Sequence, residues 1–438
     1  MSLPAHIAFE QRQYTTALSL YKKELEKAPN PSIMYNMGLC YMQLENWKEA
    51  IDIFSHVLRL DPLHTLTQNN LGIALQKVGQ LFDSETIFRE LLSDDPWNID
   101  IAINLAGVLL EQGRPDVGIE ILTPIQRHVH FYPAGWDMLG SCFLDAGDIA
   151  MAFACFHRAY EQAPLDSLIL LHLLTVAHDY VSKDHIDQLL YYARTQHPNN
   201  VAFILIEYCI RQHAAYTNNL PYISTPPQTL PVFLQTSTTY LFSVLQKQRI
   251  QYPLVECHIY TTVYGSLAYA CSIAQTDGVV LEFGVRFGTS LQMLQKLSND
   301  HVYGFDSFQG LPTDWHEISK GSYSTAGIIP DLGANTTLYP GLFTESIDIF
   351  LMENDENIKL IHVDCDLYQS TIDIFDRIHP RLQQGTIIVF NEYLLYPHWQ
   401  KDEWKAWQEI TQKHNITYTY RGFSVVSKQA IIRIESIG

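Results

Sequence analysis

The chain has 438 residues, room for two or three domains, and its 47% hydrophobic and 12% aromatic content is that of a packed globular protein, not a disordered one. A formal charge of −19, from 28 basic and 47 acidic residues, repels a phosphate backbone, and no run of Lys and Arg offsets it, so nucleic acid is not the expected partner. The seven cysteines (40, 142, 155, 209, 257, 271 and 365) are odd in number and never form a C-x-x-C pair, which argues against a zinc site or a disulfide framework. Met1-Ser-Leu-Pro-Ala-His lacks the basic and apolar regions of a signal peptide, and the most apolar stretch, Leu168 to Val176, is too short to span a bilayer and contains His172. The expectation is a soluble protein of a reducing, cytoplasmic compartment, with no membrane partner.

Residues 1–200 repeat with a period of 34. Pro62, Pro96, Pro164 and Pro198 share one phase, His130 stands where another proline would fall, and Pro29 is one residue out of register. Gly38, Gly72, Ala106 and Gly140 hold a second phase, and Phe54, Phe88, Leu122 and Phe156 a third. This resembles the tetratricopeptide repeat (TPR), and the fullest unit is Trp136, Leu139, Gly140, Ala152, Phe156, Ala159 and Pro164. The resemblance implies about six helical hairpins stacked as a solenoid, with small residues where paired helices meet and aromatics in the core. The groove of such an array serves a peptide or protein partner, and dimerisation through it is an equal alternative.

Residues 201–250 read as a connection. Phe203 to Gln212 suits a last helix, and the stretch from Asn218-Asn219-Leu220-Pro221 to Pro226-Pro227 and Pro231 is proline-punctuated linker. Helices are expected over Thr236–Arg249 and Tyr260–Ala274.

From Gly278 strands and helices alternate. Strands are expected at Val279–Phe283, Val302–Phe305, Ile358–Val363 and Thr386–Phe390, with helices at Thr289–Leu297 and Thr371–His379 and a loop between residues 306 and 357. Ile416–Arg421 and Ala430–Ile434 read as an antiparallel hairpin closing a mostly parallel, doubly wound sheet. Four strands end abruptly in Glu282-Phe-Gly284, Asp306, Asp364 and Asn391-Glu392, the pattern of strand termini that open on a ligand crevice. Gly284 and Gly288 form G-x-x-x-G and not the G-x-G-x-x-G of dinucleotide sites, so a helix N-terminus at Thr289 or Ser290 is expected to receive a carboxylate or nucleoside group instead. Asp306, 24 residues after Glu282, lies where an acid meets ribose hydroxyls.

These residues resemble class I S-adenosylmethionine-dependent methyltransferases, and more closely the macrocin O-methyltransferase family, over about residues 255–435. The likeness rests on Glu282-Phe-Gly284-Val-Arg-Phe-Gly288-Thr-Ser290, Tyr303-Gly-Phe-Asp306-Ser307-Phe-Gln-Gly310-Leu-Pro312 and Pro340-Gly341-Leu-Phe343. It continues through His362-Val-Asp364-Cys-Asp366-Leu-Tyr368 and Phe390-Asn391-Glu392-Tyr393. It implies S-adenosyl-L-methionine as cofactor, held by Glu282, Gly284, Gly288, Ser290, Asp306 and Ser307. It also implies magnesium (Mg2+) at Asp364, Asn391 and Glu392, with Asn391 departing from the acid expected there; catechol O-methyltransferase, a related fold, uses two carboxylates and one amide. Asp366 is the alternative carboxylate. For catalysis the expected residues are Asp364 and His316, the latter as general base in the Thr313-Asp314-Trp315-His316-Glu317 loop, with Tyr323 and His398 as rivals. Tyr396, His398, Trp399, Trp404 and Trp407 are candidates for an aromatic wall around the acceptor.

The sequence therefore reads as a repeat solenoid (1–200), a helical, proline-rich connection (201–250) and an O-methyltransferase domain (251–438) acting on a hydroxyl of a sugar or natural-product-like small molecule. A non-catalytic scaffold with a degenerate methyltransferase fold is the alternative, and Asn391 is what keeps it open. A glycosyltransferase lacks any sugar-nucleotide signature.

Overall fold

The computed structural model describes residues 3–26, 30–128, 130–180, 182–217 and 226–438; Pro29 and the linker residues Asn218 to Pro221 lie outside the described residues. Thirteen helices occupy the described residues from Leu3 to Thr217. The first helices of successive hairpins, Pro31–Gln43, Thr65–Lys77, Ile99–Glu111, Pro133–Asp145, Ser167–Tyr180 and Val201–Thr217, start 34 residues apart. Pro62, Pro96, Pro164 and Pro198 fall in the short turns before these starts, where a ring without an N–H ends the preceding helix. The small-residue phase is steric. A Cβ on Gly38 would lie 2.2 Å from the Phe54 ring, and one on Gly72 would lie 2.7 Å from Phe88; both rings are fully buried.

A further phase escaped the sequence reading. In the first five hairpins the turn carries one left-handed residue: Arg12 (φ 58°), Glu45 (57°), Gly79 (78°), Gly113 (65°) and Gly147 (86°). Glycine fits that helix C-terminal position without a Cβ penalty, whereas Arg12 and Glu45 bear it.

By contact the chain forms two compact units, residues 1–143 and 144–438. In the second, the helices from Ile149 to Thr217 are grouped with the sheet instead of with the first helices. Thr261 Oγ1 donates to the Thr175 carbonyl (2.5 Å), and a His213 ring nitrogen meets the Cys257 carbonyl (2.7 Å). The sheet has eight strands: β1 (His258–Tyr260), β2 (Val279–Phe283), β3 (Val302–Asp306), β4 (Thr336–Pro340), β5 (Ile358–Val363), β6 (Ile387–Phe390), β7 (Thr417–Ser424) and β8 (Ala430–Ser436), in the order β1-β7-β8-β6-β5-β2-β3-β4. All neighbours are parallel except those of β8, which pairs antiparallel with β6 and β7. The order reverses between β2 and β5, the place where an open α/β sheet forms its crevice.

One sheet face buries Val280, Val302, Leu360, Val389 and Ile431 under Leu267 and Ala270 of helix Val263–Ile273 and Leu291 and Leu294 of helix Thr289–Ser298. The other meets Phe343, Phe350, Phe375 and Trp407 through Phe283, Phe305 and Phe390. Two expectations are corrected. The stretch read as loop after β3 contains edge strand β4 and helix Phe343–Glu353, and the helix expected from Tyr260 begins at Val263 because His258–Tyr260 pairs with β7. Both strands are short and at an edge, so neither carries the apolar run that betrays a central strand.

Glu45→Gly should relieve the one left-handed strain in its turn and raise stability by about 1 kcal/mol. Thermal melting of the intact chain reads this as an upward shift, and Gly79→Glu, the reverse exchange, should lower the transition by a similar amount.

Candidate functional site

The strand ends meet at one level. The amides of Gly284, Asp364 and Asn391 donate to carbonyls at the ends of neighbouring strands, Phe305 (2.9 Å), Phe283 (2.8 Å) and Val363 (2.8 Å). At the switch point only glycine fits: Gly284 has φ +95°, and a Cβ there would stand 1.8 Å from the Asp364 carbonyl oxygen. Gly288 (φ +85°) precedes helix Thr289–Ser298, whose first turn has no side-chain cap, so its free N–H groups remain available to an anion.

Four expected cofactor residues, Glu282, Ser290, Asp306 and Ser307, are engaged with the protein itself. Glu282 is fully buried; Oε1 accepts from Ser290 Oγ (3.1 Å), and Oε2 pairs with His362 Nδ1 (2.9 Å). Burial pushes the Glu282 carboxyl up. Burial also works against charge on His362, yet the hydrogen bond and charge of Glu282 outweigh it and raise the imidazole. The pair ties β2 to β5 and to the start of the helix. Asp306 Oδ2 accepts from the amides of Val285 (2.9 Å) and Arg286 (2.7 Å), and Oδ1 from Phe308 (2.7 Å), so the end of β3 holds the glycine loop in shape. Ser307 closes the adjoining turn through Gly310 and Gln309.

The expected magnesium set is brought together, but with its atoms committed elsewhere. Asn391 turns its Nδ2 to Asp364 Oδ1 (2.7 Å) and its Oδ1 to Gln429 Nε2 (2.9 Å), while both Glu392 oxygens lie 3.3 Å from Lys428 Nζ. Among the described residues no three His, Cys, Asp or Glu side chains are grouped to hold a metal ion. These donors do not fit a divalent cation as they stand, because the amide presents its N–H groups inward and the carboxylate already has a cation. Asp366 lies on the same rim, and burial together with Asp364, Glu392 and Asp402 pushes its carboxyl up to about 8. Glu403 is fully buried, and burial with the charges of Asp366, Asp364 and Glu392 pushes its carboxyl well up.

His316 sits on a two-residue turn closed by mutual Trp315 and Ile318 backbone bonds (2.8 Å each). Its Nε2 meets Asp402 Oδ2 at 2.8 Å, and the Tyr396 hydroxyl donates to the same oxygen at 3.0 Å. The His398 ring lies 4.7 Å away from that of His316. Tyr323, the other rival, has the Arg286 guanidinium 5.7 Å from its ring centre. Asp402, Gln429 and Lys428 were missed by sequence reasoning because they reach the rim from beyond the strand-end motifs. The expected aromatic wall is corrected in part: Trp399, Trp407 and Tyr396 are buried, Trp404 is half-buried and His398 is exposed, and the half-buried Trp315 and exposed Tyr323, outside the expected set, add accessible rings.

Backbone strain concentrates here. Arg286 (φ 50°), Phe308 (58°), His316 (51°), Tyr323 (64°), Asp366 (62°), His398 (68°) and Lys428 (63°) all adopt the left-handed region. Each costs on the order of 1 kcal/mol, a cost that clusters where a surface is shaped for a ligand.

Residues 281–393 match the family described as "Methyltransferase domain", and residues 1–57 match the "Anaphase-promoting complex, cyclosome, subunit 3" family. The chain is 26% identical over 170 residues to the probable UDP-N-acetylglucosamine–peptide N-acetylglucosaminyltransferase SPINDLY of Hordeum vulgare, covering 37% of this chain and 18% of that protein. It is 25% identical over 194 residues to the BBSome complex member BBS4 of Bos taurus, covering 36% of each. The chain thus spans between about a fifth and about a third of these relatives. Similar solved structures include a TPR protein of Thermus thermophilus (17% identity, 40% of this chain and 95% of that one, TM-score 0.35). The O-methyltransferase NovP is another (15%, 40% and 79%, TM-score 0.33). The C-terminal region carries a methyltransferase domain, and the N-terminal region carries TPR-like repeats. No helix among the described residues is long and apolar enough to cross a membrane.

Because the Asp366 carboxyl is raised in the folded state, its contribution to stability is present at low pH and is lost as pH rises from the ordinary carboxylate range through about 8. In chelator, Asp366→Asn should therefore gain on the order of 1 kcal/mol at alkaline pH and little near pH 4, after discounting for partial solvent access. Denaturant melts at the two pH values check the difference.

Proposed function

We propose that the C-terminal domain is an S-adenosylmethionine-dependent O-methyltransferase whose acceptor is a hydroxyl of a sugar or natural-product-like small molecule. In this reading residues 1–200 form the repeat array that holds a protein partner or a second copy of the chain, joined through 201–250 to a catalytic domain at 251–438. The compartment is cytoplasmic and reducing, in keeping with seven free cysteines. The observation that carries the reading is Asp306 locking the Gly284–Gly288 loop beside an uncapped helix start at the strand switch point.

The cofactor supplies an electrophilic methyl group when bound. The free amides at the start of helix Thr289–Ser298 suit its carboxylate, and Asp306 and Ser307, at the end of β3, suit its ribose hydroxyls. Glu282 and Ser290 act one step back, holding the loop and helix start. His316 is the base: with Nε2 held by Asp402, Nδ1 is left to take the acceptor hydroxyl proton, and Tyr396 fixes the carboxylate that orients the ring. Asp364, tied to Asn391, borders the acceptor side of the crevice. Trp315, Tyr323 and His398 offer aromatic surface suited to a sugar or phenolic ring. No step here requires magnesium.

Calorimetry should show binding of S-adenosylhomocysteine to the intact protein, weakened about tenfold or more by Asp306→Ala through lost hydrogen bonds and a loosened loop. No binding to the wild type at millimolar ligand would end the methyltransferase reading. With labelled cofactor and a panel of glycosides and phenols, His316→Ala should lower turnover by roughly a hundredfold or more, leaving S-adenosylhomocysteine affinity unchanged.

A further inference from the structure

Lys428 precedes β8, in the turn after β7, and its carbonyl accepts from the amides of Tyr393 and Leu394 (3.3 Å each), in the segment that carries Asn391 and Glu392. Its backbone is left-handed (φ 63°), an arrangement a lysine adopts only when the surroundings hold it. The ammonium sits 3.3 Å from both Glu392 oxygens and 5.8 Å from the Tyr396 ring centre. The next residue, Gln429, is fully buried and donates to Asn391 Oδ1, which frees Asn391 Nδ2 to donate to Asp364. Lys428 and Gln429 therefore supply, side by side, a positive charge for Glu392 and a chain of N–H donors ending on Asp364.

A divalent cation between two carboxylates performs those same two tasks, neutralising charge and fixing the oxygens. Here Asp364 has the N–H of an amide, Asn391, and Glu392 has an ammonium. We propose that Lys428, with the Gln429–Asn391–Asp364 chain, is a built-in replacement for a divalent metal at this rim, so that the chain neither needs nor retains magnesium. Asn391 is then a matched partner of Lys428 and Gln429, not a sign of a decayed site. Lys428 is a positioning residue: it holds Glu392 and, through the shared turn, the segment carrying Asn391. The inference rests on the methyltransferase reading only for its consequence in turnover, and magnesium binding is measured without cofactor or acceptor.

The test titrates magnesium chloride calorimetrically into the intact wild-type protein, Asn391→Asp, Lys428→Met and the double variant, with melting curves as the check on folding. Wild type should show no saturable binding at low millimolar magnesium. The double variant, with three carboxylates and no ammonium, should bind at least about tenfold more tightly than wild type, and Asn391→Asp, which keeps the lysine, should gain far less. Micromolar binding by wild type would overturn the proposal, as would a double variant that binds no better than wild type. If the double variant does not fold, Lys428→Gln carries the test: tighter magnesium binding than wild type supports the replacement, and unchanged affinity overturns it.

Discussion

The close approach of Gly284 to the Asp364 carbonyl governs the geometry of the methyltransferase domain. Two central parallel strands, β2 and β5, end side by side at the point where strand order reverses, and a side chain of any size on Gly284 would collide with the β5 backbone. The chain can turn there only with φ near +95°. That turn throws the loop to Gly288 across the top of β3, where Asp306 captures two of its amides, and it sets helix Thr289–Ser298 with its N-terminus toward the crevice. Glu282, below the turn, anchors the arrangement to β5 through His362 and to the helix through Ser290.

On the other side of the switch point the rim is costly to build. Asp364, Asp366, Glu392, Asp402 and Glu403 crowd one region; burial raises Asp364, Asp366, Glu392 and Glu403 above the ordinary carboxylate range, and neighbouring carboxylates of the rim push Asp366, Glu392 and Glu403 further, as Asp306 does Asp364. Lys428 offsets part of this, and the polar partners of Asp364 and Asp402 offset more. Stability for the rim comes from elsewhere: a continuous apolar core on one sheet face and an aromatic cluster on the other. Helix Val232–Gln251 adds a brace, since Gln248 bonds both the N–H (2.7 Å) and the carbonyl (2.8 Å) of Tyr420, and Ser237 caps the Leu395 amide (2.9 Å) in the segment that leads to His398.

The sequence was most legible where one physical rule acts at a fixed spacing. Proline at helix ends and glycine opposite phenylalanine gave the repeat phase, and buried β-branched runs ending in acids gave β2, β3, β5 and β6. Edge strands β1 and β4 were hidden because they bury too little to show a pattern. In the site, the residue types at the strand ends were readable, but their partners were not. Glu282 looks like a ligand contact in sequence and is a buried brace in the fold. Asn391 looks like a lost charge until Lys428 and Gln429, nearly forty residues away, are seen beside it. Asp402 lies outside any motif, and only the hairpin that lifts His316 brings the two within 2.8 Å. Left-handed backbone at His316, Tyr323 and His398 likewise has no signature in residues of those types.

The proposed cofactor site is the crevice between the glycine loop and the end of β3. A crystal structure of the intact protein with S-adenosylhomocysteine tests it most directly. The amino-acid end should lie at the first amides of helix Thr289–Ser298, the ribose hydroxyls within hydrogen-bond distance of Asp306 or Ser307, and the sulfur toward the rim of Asp364 and His316. Density for the ligand elsewhere on the molecule, with this crevice closed by its own side chains, would contradict it.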